Sequence, residues 1–137
     1  MNPKWIYWIT TSVLALMYVA GGVMYLSNIA MVQALFLNFG YPAYLVPFLA
    51  VIKLSAAATI LSRFSVALSD LAYAGMFFHL VLAAGAHIGV ADWAGLPPSL
   101  VGLVLLVTSF FTQNRARRRS SPYGSLRAWG AGTAARP

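Results

Sequence analysis

Residues 44–61, YLVPFLAVIKLSAAATIL, form an apolar stretch long enough for a helix to cross a bilayer, yet one lysine lies near its middle. A membrane-spanning helix needs about 20 mostly apolar residues, within a working range of about 17–25. Three other stretches meet this requirement, at residues 5–26, 68–90 and 96–112. None has the alternating pattern of a barrel strand. The sequence therefore predicts an all-α membrane protein with a four-transmembrane-helix bundle.

The composition supports this class. Hydrophobic residues make up 61% of the chain and charged residues only 8%, whereas soluble domains carry roughly 25% charged residues. The chain has no cysteine. This excludes the small membrane oxidoreductases that exchange thiols and disulfides, and it excludes metal sites with cysteine ligands.

The basic residues indicate how the chain crosses the membrane. Lys4, Arg63 and the arginines near the C-terminus fall on one side of a four-span chain, and the loops at residues 27–43 and 91–98 contain no lysine or arginine. Short cytoplasmic loops carry the excess of these residues. Both termini are therefore predicted to be cytoplasmic, and a cleaved signal peptide fits the first span poorly.

Two segments outside the spans have distinct patterns. In residues 29–39, IAMVQALFLNF, apolar residues recur at helical spacing, which predicts a short interfacial helix after the first span. The alternative is that this segment extends the first span. Residues 114–137 are predicted to be a basic, disordered tail beside a transmembrane domain of residues 1–113. We interpret its RARRR run as a topology signal near lipid headgroups, and we expect no nucleic acid partner.

Each span carries a stripe of residues that helical spacing places on one face. Small residues and hydroxyls let membrane helices approach closely, so these four faces are predicted to point into the bundle. The stripes are Thr11, Ala15, Tyr18, Gly22 and Tyr25 on the first span, Leu49, Lys53, Ala56, Ala57 and Ile60 on the second, Ala72, Gly75, His79, Ala83 and Ala86 on the third, and Gly102, Leu106, Ser109 and Gln113 on the fourth.

Lys53 is the strongest functional candidate, because a charge at that depth costs a few kcal/mol. The only acids in the chain are Asp70 and Asp92. His79 is predicted within roughly 3 Å of the same height. His87 and Asp92 lie nearer the outer mouth, within reach of a long lysine side chain. The predicted ligand-binding candidates are Tyr18, Tyr25, Lys53, His79, His87 and Asp92; the alternative is that these groups only satisfy one another.

Several kinds of chemistry do not fit the sequence. The two histidines lie on one helix, about 12 Å apart by helical rise, so they cannot ligate one haem iron from both sides. His87 and Asp92 offer two ligands, whereas a zinc site needs three or four, so no metal is predicted. No nucleophile–base triad or glycine-rich phosphate loop is found. The chain is therefore not expected to be an enzyme on its own.

The chain resembles the DoxX-like family of small bacterial membrane proteins from its first span to about Asn114. The matching pieces are YWITTSVLALMYVAGGVMYL in the first span, Gly40-Tyr41-Pro42, Lys53, Ala72-Tyr73-Ala74-Gly75, and Ala86-His87 followed by Asp92. His79 stands where members of the family vary, and Ala91 stands where glycine is common. The resemblance implies a four-helix bundle in the bacterial inner membrane. Relatives in the wider group are associated with quinone-linked sulfur oxidation, with oxidative-stress defence complexes, or with assembly of other membrane proteins.

Three functions follow as hypotheses. The first is an accessory subunit of a membrane redox complex, whose bundle holds a quinone or a similar molecule. The second is a non-enzymatic scaffold or assembly factor, and the third is a small-molecule or proton transporter. Gly85 and Gly89 form a small-xxx-small pair on the far side of the third span, which predicts a homodimer contact or internal packing.

Overall fold

The computed structural model describes residues 3–124, which form five α-helices and a short 3₁₀ turn. The helices are α1 (Pro3–Ser27), α2 (Ile29–Asn38), α3 (Leu45–Ser62), α4 (Val66–Gly89) and α5 (Leu96–Thr112), and the turn is Gln113–Arg115. Four of the helices are long and apolar enough to cross a membrane, and each coincides with one predicted span. The prediction of an all-α bundle with four membrane-spanning helices is confirmed.

The four long helices form a ring. Helix α1 packs against α3 and α5, and α4 packs against the same two neighbours. Helices α1 and α4 therefore lie opposite each other across the centre of the bundle. Buried residues from all four helices make up the central core: Leu14, Ala15, Tyr18, Ala56, Ala57, Ile60, Tyr73, Met76, Leu80 and Leu106.

Glycines allow two of the close contacts in this ring. A Cβ atom at Gly22 of α1 would lie 3.0 Å from Cγ of Leu54 on α3. A Cβ atom at Gly102 of α5 would lie 2.8 Å from Cδ2 of Leu80 on α4. Real Cβ atoms essentially never approach within 3.0 Å, so a side chain at Gly102 would force the Leu80 side chain to move. The small residues predicted to face inward on α1 and α5 do set the distance between helices.

Helix α2 is a separate element and does not continue α1. The backbone leaves the helical conformation at Asn28, with φ −128° and ψ 43°, and the Asn28 side chain makes no capping hydrogen bond. The helix buries Val32 and Phe36 against Val46 of α3. Gly40 follows with φ +81°, a left-handed conformation that glycine adopts without strain. The short helix predicted after the first span is confirmed, and its position in the membrane interface stays a prediction.

The inward face predicted for the third span is shifted by one position along the helix: of the predicted stripe, Ala72, His79, Ala83 and Ala86 are only half-buried. Gly75 is exposed, whereas the buried residues of α4 are mostly larger ones. These α4 side chains meet Leu14, Ala15 and Tyr18 of the opposite helix in the central core. The buried residues of α4 are Ser69, Tyr73, Met76, Leu80 and Ala84.

The basic segments of the chain meet at one end of the bundle. The Arg63 guanidinium lies 5.1 Å from the centre of the Trp8 ring and 5.4 Å from that of Tyr7. The same side chain donates a hydrogen bond through Nη2 to the carbonyl oxygen of Ala116. The N-terminus of α1, the α3–α4 connection and the segment after α5 therefore share one end, as the predicted topology requires.

The first part of the predicted tail packs against the bundle. Asp70 of α4 accepts hydrogen bonds from Gln113 Nε2 at 3.2 Å and from Ser121 Oγ at 2.7 Å. Asn114 adds two more bonds to the Ser121 backbone, at 2.9 and 2.7 Å. Residues up to Gly124 are thus held by named contacts. The rest of the predicted tail lies outside the described residues, and both its disorder and the domain boundary stay predictions.

Candidate functional site

The Lys53 amine of α3 lies against helix α1, beside two tyrosine rings of that helix. It is 4.1 Å from the centre of the Tyr25 ring and 6.0 Å from that of Tyr18. Gly21 leaves room for the amine, since a Cβ atom there would lie 3.2 Å from Nζ. The face of an aromatic ring carries negative charge density that attracts a cation. The lysine is therefore stabilised at this depth by tyrosine faces.

Tyr18 connects the lysine to His79 across the bundle. Its hydroxyl lies 3.0 Å from the Met76 carbonyl oxygen and 3.1 Å from His79 Nδ1. A phenol has one hydrogen to donate. If that hydrogen is donated to the carbonyl, His79 must carry its proton on Nδ1 and donate it to the tyrosine oxygen. This arrangement leaves Nε2 of His79 as a hydrogen-bond acceptor.

The structure brings four of the six predicted residues together and places the other two apart. Lys53, Tyr18, Tyr25 and His79 form the cluster that we call the lysine site. The predicted contact between Lys53 and Asp92 is not formed, and within residues 3–124 the lysine amine has no carboxylate partner. Both acids are engaged elsewhere, because Asp92 bonds to His87 and Asp70 to the segment after α5.

His87 and Asp92 form a second cluster at the α4–α5 connection. His87 Nδ1 lies 2.9 Å from Asp92 Oδ2, and Asp92 Oδ1 accepts the backbone N–H of Gly95 at 3.0 Å. The Phe39 ring packs edge-on against the imidazole, with 5.0 Å between ring centres. Hydrogen bonds from His87 and from the Gly95 amide hold the pKa of the Asp92 carboxyl below its usual range. The predicted proximity of His87 and Asp92 is thus observed.

Gly95 belongs to this second cluster, and sequence reasoning missed it. A Cβ atom at Gly95 would collide with the His87 ring and with the Asp92 carboxylate. Only a residue without a side chain lets its backbone approach the pair so closely. The sequence did contain a signal for this contact, because Asp92 lies three residues before Gly95 and Gly95 directly precedes the predicted fourth span.

A buried hydroxyl network was also only partly foreseen. Ser109 Oγ on α5 lies 2.6 Å from Thr11 Oγ1 on α1 and 2.6 Å from the Tyr73 hydroxyl on α4. Thr11 and Ser109 were predicted to face inward, but Tyr73 was not. The network ties three helices together at the end of the bundle away from His87, and its hydroxyls already bind one another.

The chemistry of the two clusters differs. The lysine site offers an amine donor and an imidazole whose second nitrogen can accept a hydrogen bond, next to apolar helix surfaces. The His87–Asp92 pair orients an imidazole near the loops, with 21% of the His87 side chain and 41% of the Asp92 side chain exposed. In the part of the chain that the structure describes, no three His, Asp or Glu side chains come close enough to hold a metal ion.

Comparison with known proteins gives one match. The sequence profile of the DoxX-like family matches residues 9–109, a range that holds α2, α3 and α4, most of α1 and α5, and every residue of both clusters. No curated protein and no solved structure matches the chain.

Proposed function

The chain belongs to the DoxX-like family, and we propose that this multi-pass membrane protein is an accessory subunit of a redox or quinone-linked membrane system. In this proposal the lysine site binds the carbonyl head of a quinone-like molecule. The observation that carries it is the Lys53 amine, which lies against Tyr25 and has no carboxylate partner within residues 3–124. Binding of a carbonyl oxygen would give this donor the acceptor that the bundle does not supply.

The chemistry of the site supports an apolar carbonyl compound. A lysine amine has three N–H donors and no acceptor, and the half-buried Lys53 amine has no hydrogen-bond acceptor within residues 3–124. Carbonyl oxygens accept such bonds without adding a full negative charge. A quinone also partitions into the bilayer, where the exposed apolar surface of the four helices lies. His79 could bond a hydroxyl of the reduced form through Nε2.

Quinone binding can be measured directly on purified protein. A short-chain benzoquinone or naphthoquinone, titrated into the protein in detergent, is expected to bind, and Lys53→Met is expected to weaken binding. A hydrogen bond to a charged donor contributes about 1.5–3 kcal/mol, which corresponds to a loss of affinity of roughly 10- to 100-fold. Lys53→Arg should lose part of the affinity, because it keeps the charge but displaces the donors.

The matched control is Ser55→Ala on the same helix. Ser55 is exposed and its side chain makes none of the contacts described above, so quinone affinity should stay unchanged. Thermal unfolding of each variant separates loss of binding from loss of folding. If the wild-type protein carries no quinone after gentle extraction and binds none in the titration, the proposed ligand is wrong.

The other two hypotheses predict different results. A scaffold or assembly factor would copurify with one defined membrane complex, and Lys53→Met would leave that complex intact. A transporter or proton-conducting protein would produce flux in liposomes above that of empty vesicles, and Lys53→Met would reduce it. The same purified variant therefore discriminates all three functions.

Our proposal includes the bacterial inner membrane as the location, with both termini in the cytoplasm. The grouping of Lys4, Arg63 and Arg115 at one end supports this orientation. Reporter fusions after residue 124 and in the α4–α5 connection test it, because the two fusions should report opposite sides of the membrane.

A homodimer through Gly85 and Gly89 also belongs to the proposal. Both glycines are exposed, and a Cβ atom at either would meet nothing within 4 Å, so neither is used for packing within one copy. The chain has no cysteine, so Gly85→Cys introduces a single thiol. Disulfide-linked dimers should form in native membranes with this variant and not with Phe77→Cys, an exposed position about 80–120° away from the two glycines around the same helix.

A further inference from the structure

A groove of about 870 Å³ opens at the arginine-rich end of the bundle, away from the lysine site. It lies between the start of α1, the α3–α4 connection and the segment that follows α5. Its lining includes the aromatic residues Trp8 and Phe64 and the arginines Arg63, Arg117, Arg118 and Arg119.

The groove has a strong positive charge. Four arginines line it, and neither aspartate of the chain does. Asp70 instead accepts hydrogen bonds from Gln113 and Ser121. Helix α4 also begins here, with Ser65 and Val66 in the lining. The unpaired amides of a helix N-terminus add to the attraction for an anion.

Several arginine nitrogens in the groove lack hydrogen-bond acceptors. Nε of Arg63 and both Nε and Nη2 of Arg117 are buried and have no partner within residues 3–124. The Arg63 guanidinium is fixed from other directions by the Trp8 ring and by the Ala116 carbonyl. Buried donors without acceptors are costly, and planar guanidinium groups bind phosphate oxygens in pairs. An oxyanion would supply the acceptors that these donors lack.

The rim of the groove indicates where this oxyanion comes from. Phe64 is 73% exposed, and Leu61 and Trp8 are 42% and 39% exposed. These apolar side chains stand beside the arginines at the end of the membrane-spanning helices. Tryptophan and basic residues together are typical of the level of lipid headgroups.

We propose that this groove binds the phosphate group of an anionic phospholipid headgroup. The phosphate accepts hydrogen bonds from Arg63 and Arg117, Arg118 and Arg119 add positive charge, and the glycerol and acyl regions lie against Leu61 and Phe64. The segment after α5 then closes over a lipid and becomes part of the membrane surface. This site is independent of the quinone proposal, because it shares no residue with the lysine site.

The test compares lipids and variants on the full chain in detergent. Short-chain phosphatidylglycerol is expected to raise the melting temperature of the protein, and phosphatidylcholine is not. Arg117→Gln should bind phosphatidylglycerol about fivefold more weakly, since one arginine near an anionic headgroup contributes about 1 kcal/mol. The matched control is Arg115→Gln, because Arg115 is exposed and does not line the groove. Its affinity should stay within twofold of wild type.

Other outcomes would overturn the proposal. Equal losses in Arg117→Gln and Arg115→Gln would show a diffuse attraction to the basic tail, and equal effects of the two lipids would show no anion site. Inorganic phosphate alone distinguishes the sources: stabilisation by phosphatidylglycerol only supports the lipid, and equal stabilisation by inorganic phosphate overturns it in favour of a soluble phosphate. If Arg117→Gln does not fold, the double variant Arg118→Gln with Arg119→Gln replaces it.

Discussion

Replacing Ser109 with alanine removes the hydroxyl that joins α1, α4 and α5 inside the bundle. The wild-type Ser109 hydroxyl lies 2.6 Å from both the Thr11 and the Tyr73 hydroxyls. Thr11 is 0% exposed and Tyr73 is 2% exposed, so water cannot replace the lost bonds. The change therefore removes two hydrogen bonds between helices and leaves two buried hydroxyls without that partner.

The expected loss follows from the number of bonds. One hydrogen bond between membrane helices contributes about 0.6 kcal/mol on average and about 1.7 kcal/mol at most. Two such bonds give about 1–3 kcal/mol, and the burial of both partners favours the upper half of that range. Ser109→Ala should lower the free energy of unfolding by about 2–3 kcal/mol.

Reversible unfolding in mixed detergent and SDS micelles measures this loss through tryptophan fluorescence. The matched control is Thr108→Ala at the neighbouring position. Thr108 bonds only the carbonyl of Val104 on its own helix, at 2.8 Å, so the control should change stability by less than about 0.5 kcal/mol.

A double-mutant cycle tests the mechanism. Tyr73→Phe should cost less in the Ser109→Ala background than in the wild type, by about 1 kcal/mol, because the two residues share a hydrogen bond. If the two losses simply add, or if Ser109→Ala is no worse than Thr108→Ala, the network does not hold the three helices together.

Two further predictions concern the second cluster. Gly95→Ala should lower the melting temperature, because the new methyl group collides with His87 and Asp92. The control Gly75→Ala, with nothing within 4 Å of its Cβ, should leave the melting temperature unchanged or raise it, and equal shifts in the two variants would contradict the close approach at Gly95. Hydrogen bonds lower the pKa of Asp92 in the folded protein. They therefore stabilise the folded protein above the usual carboxyl range, and this contribution disappears as the pH falls through the folded pKa. Asp92→Asn should flatten the acid side of a plot of melting temperature against pH, and an unchanged plot would show that the His87–Asp92 pair does not affect stability.

The spans were predictable because their signal is local. A stretch such as residues 44–61 identifies itself by length and apolar composition, whatever its neighbours are. The short helix α2 was also predictable, since its apolar residues recur at helical spacing. In both cases the residues that decide the structure lie within one segment.

The inward face of the third span was not predictable by the same rule. Small residues mark the contact face on α1 and α5, where Gly22 and Gly102 touch bulky leucines. On α4 the buried residues are bulky instead, and Tyr73 and Met76 pack in the central core against residues of α1. Which partner is small depends on both helices, so one helix alone cannot reveal it.

The candidate site was predicted in composition and only partly in arrangement. Helical spacing and depth placed Lys53 near His79, and the pairing of His87 with Asp92 was visible along one short segment. The sequence pointed to Asp92 as the partner of the lysine, whereas the structure provides the faces of Tyr18 and Tyr25. Cation–ring contacts need a ring orientation, which spacing along a helix does not determine.

The hydroxyl network joins the first and last membrane-spanning helices, so it can form only late in synthesis. Thr11 and Ser109 are separated by 98 residues. A ribosome adds about 5–20 residues per second, so α5 follows α1 by roughly 5–20 s. Over that interval the Thr11 hydroxyl lacks its Ser109 partner. A chain that stops before α5 would remain in the membrane with this face of α1 uncovered, and such truncated chains should be preferred substrates of membrane quality-control proteases.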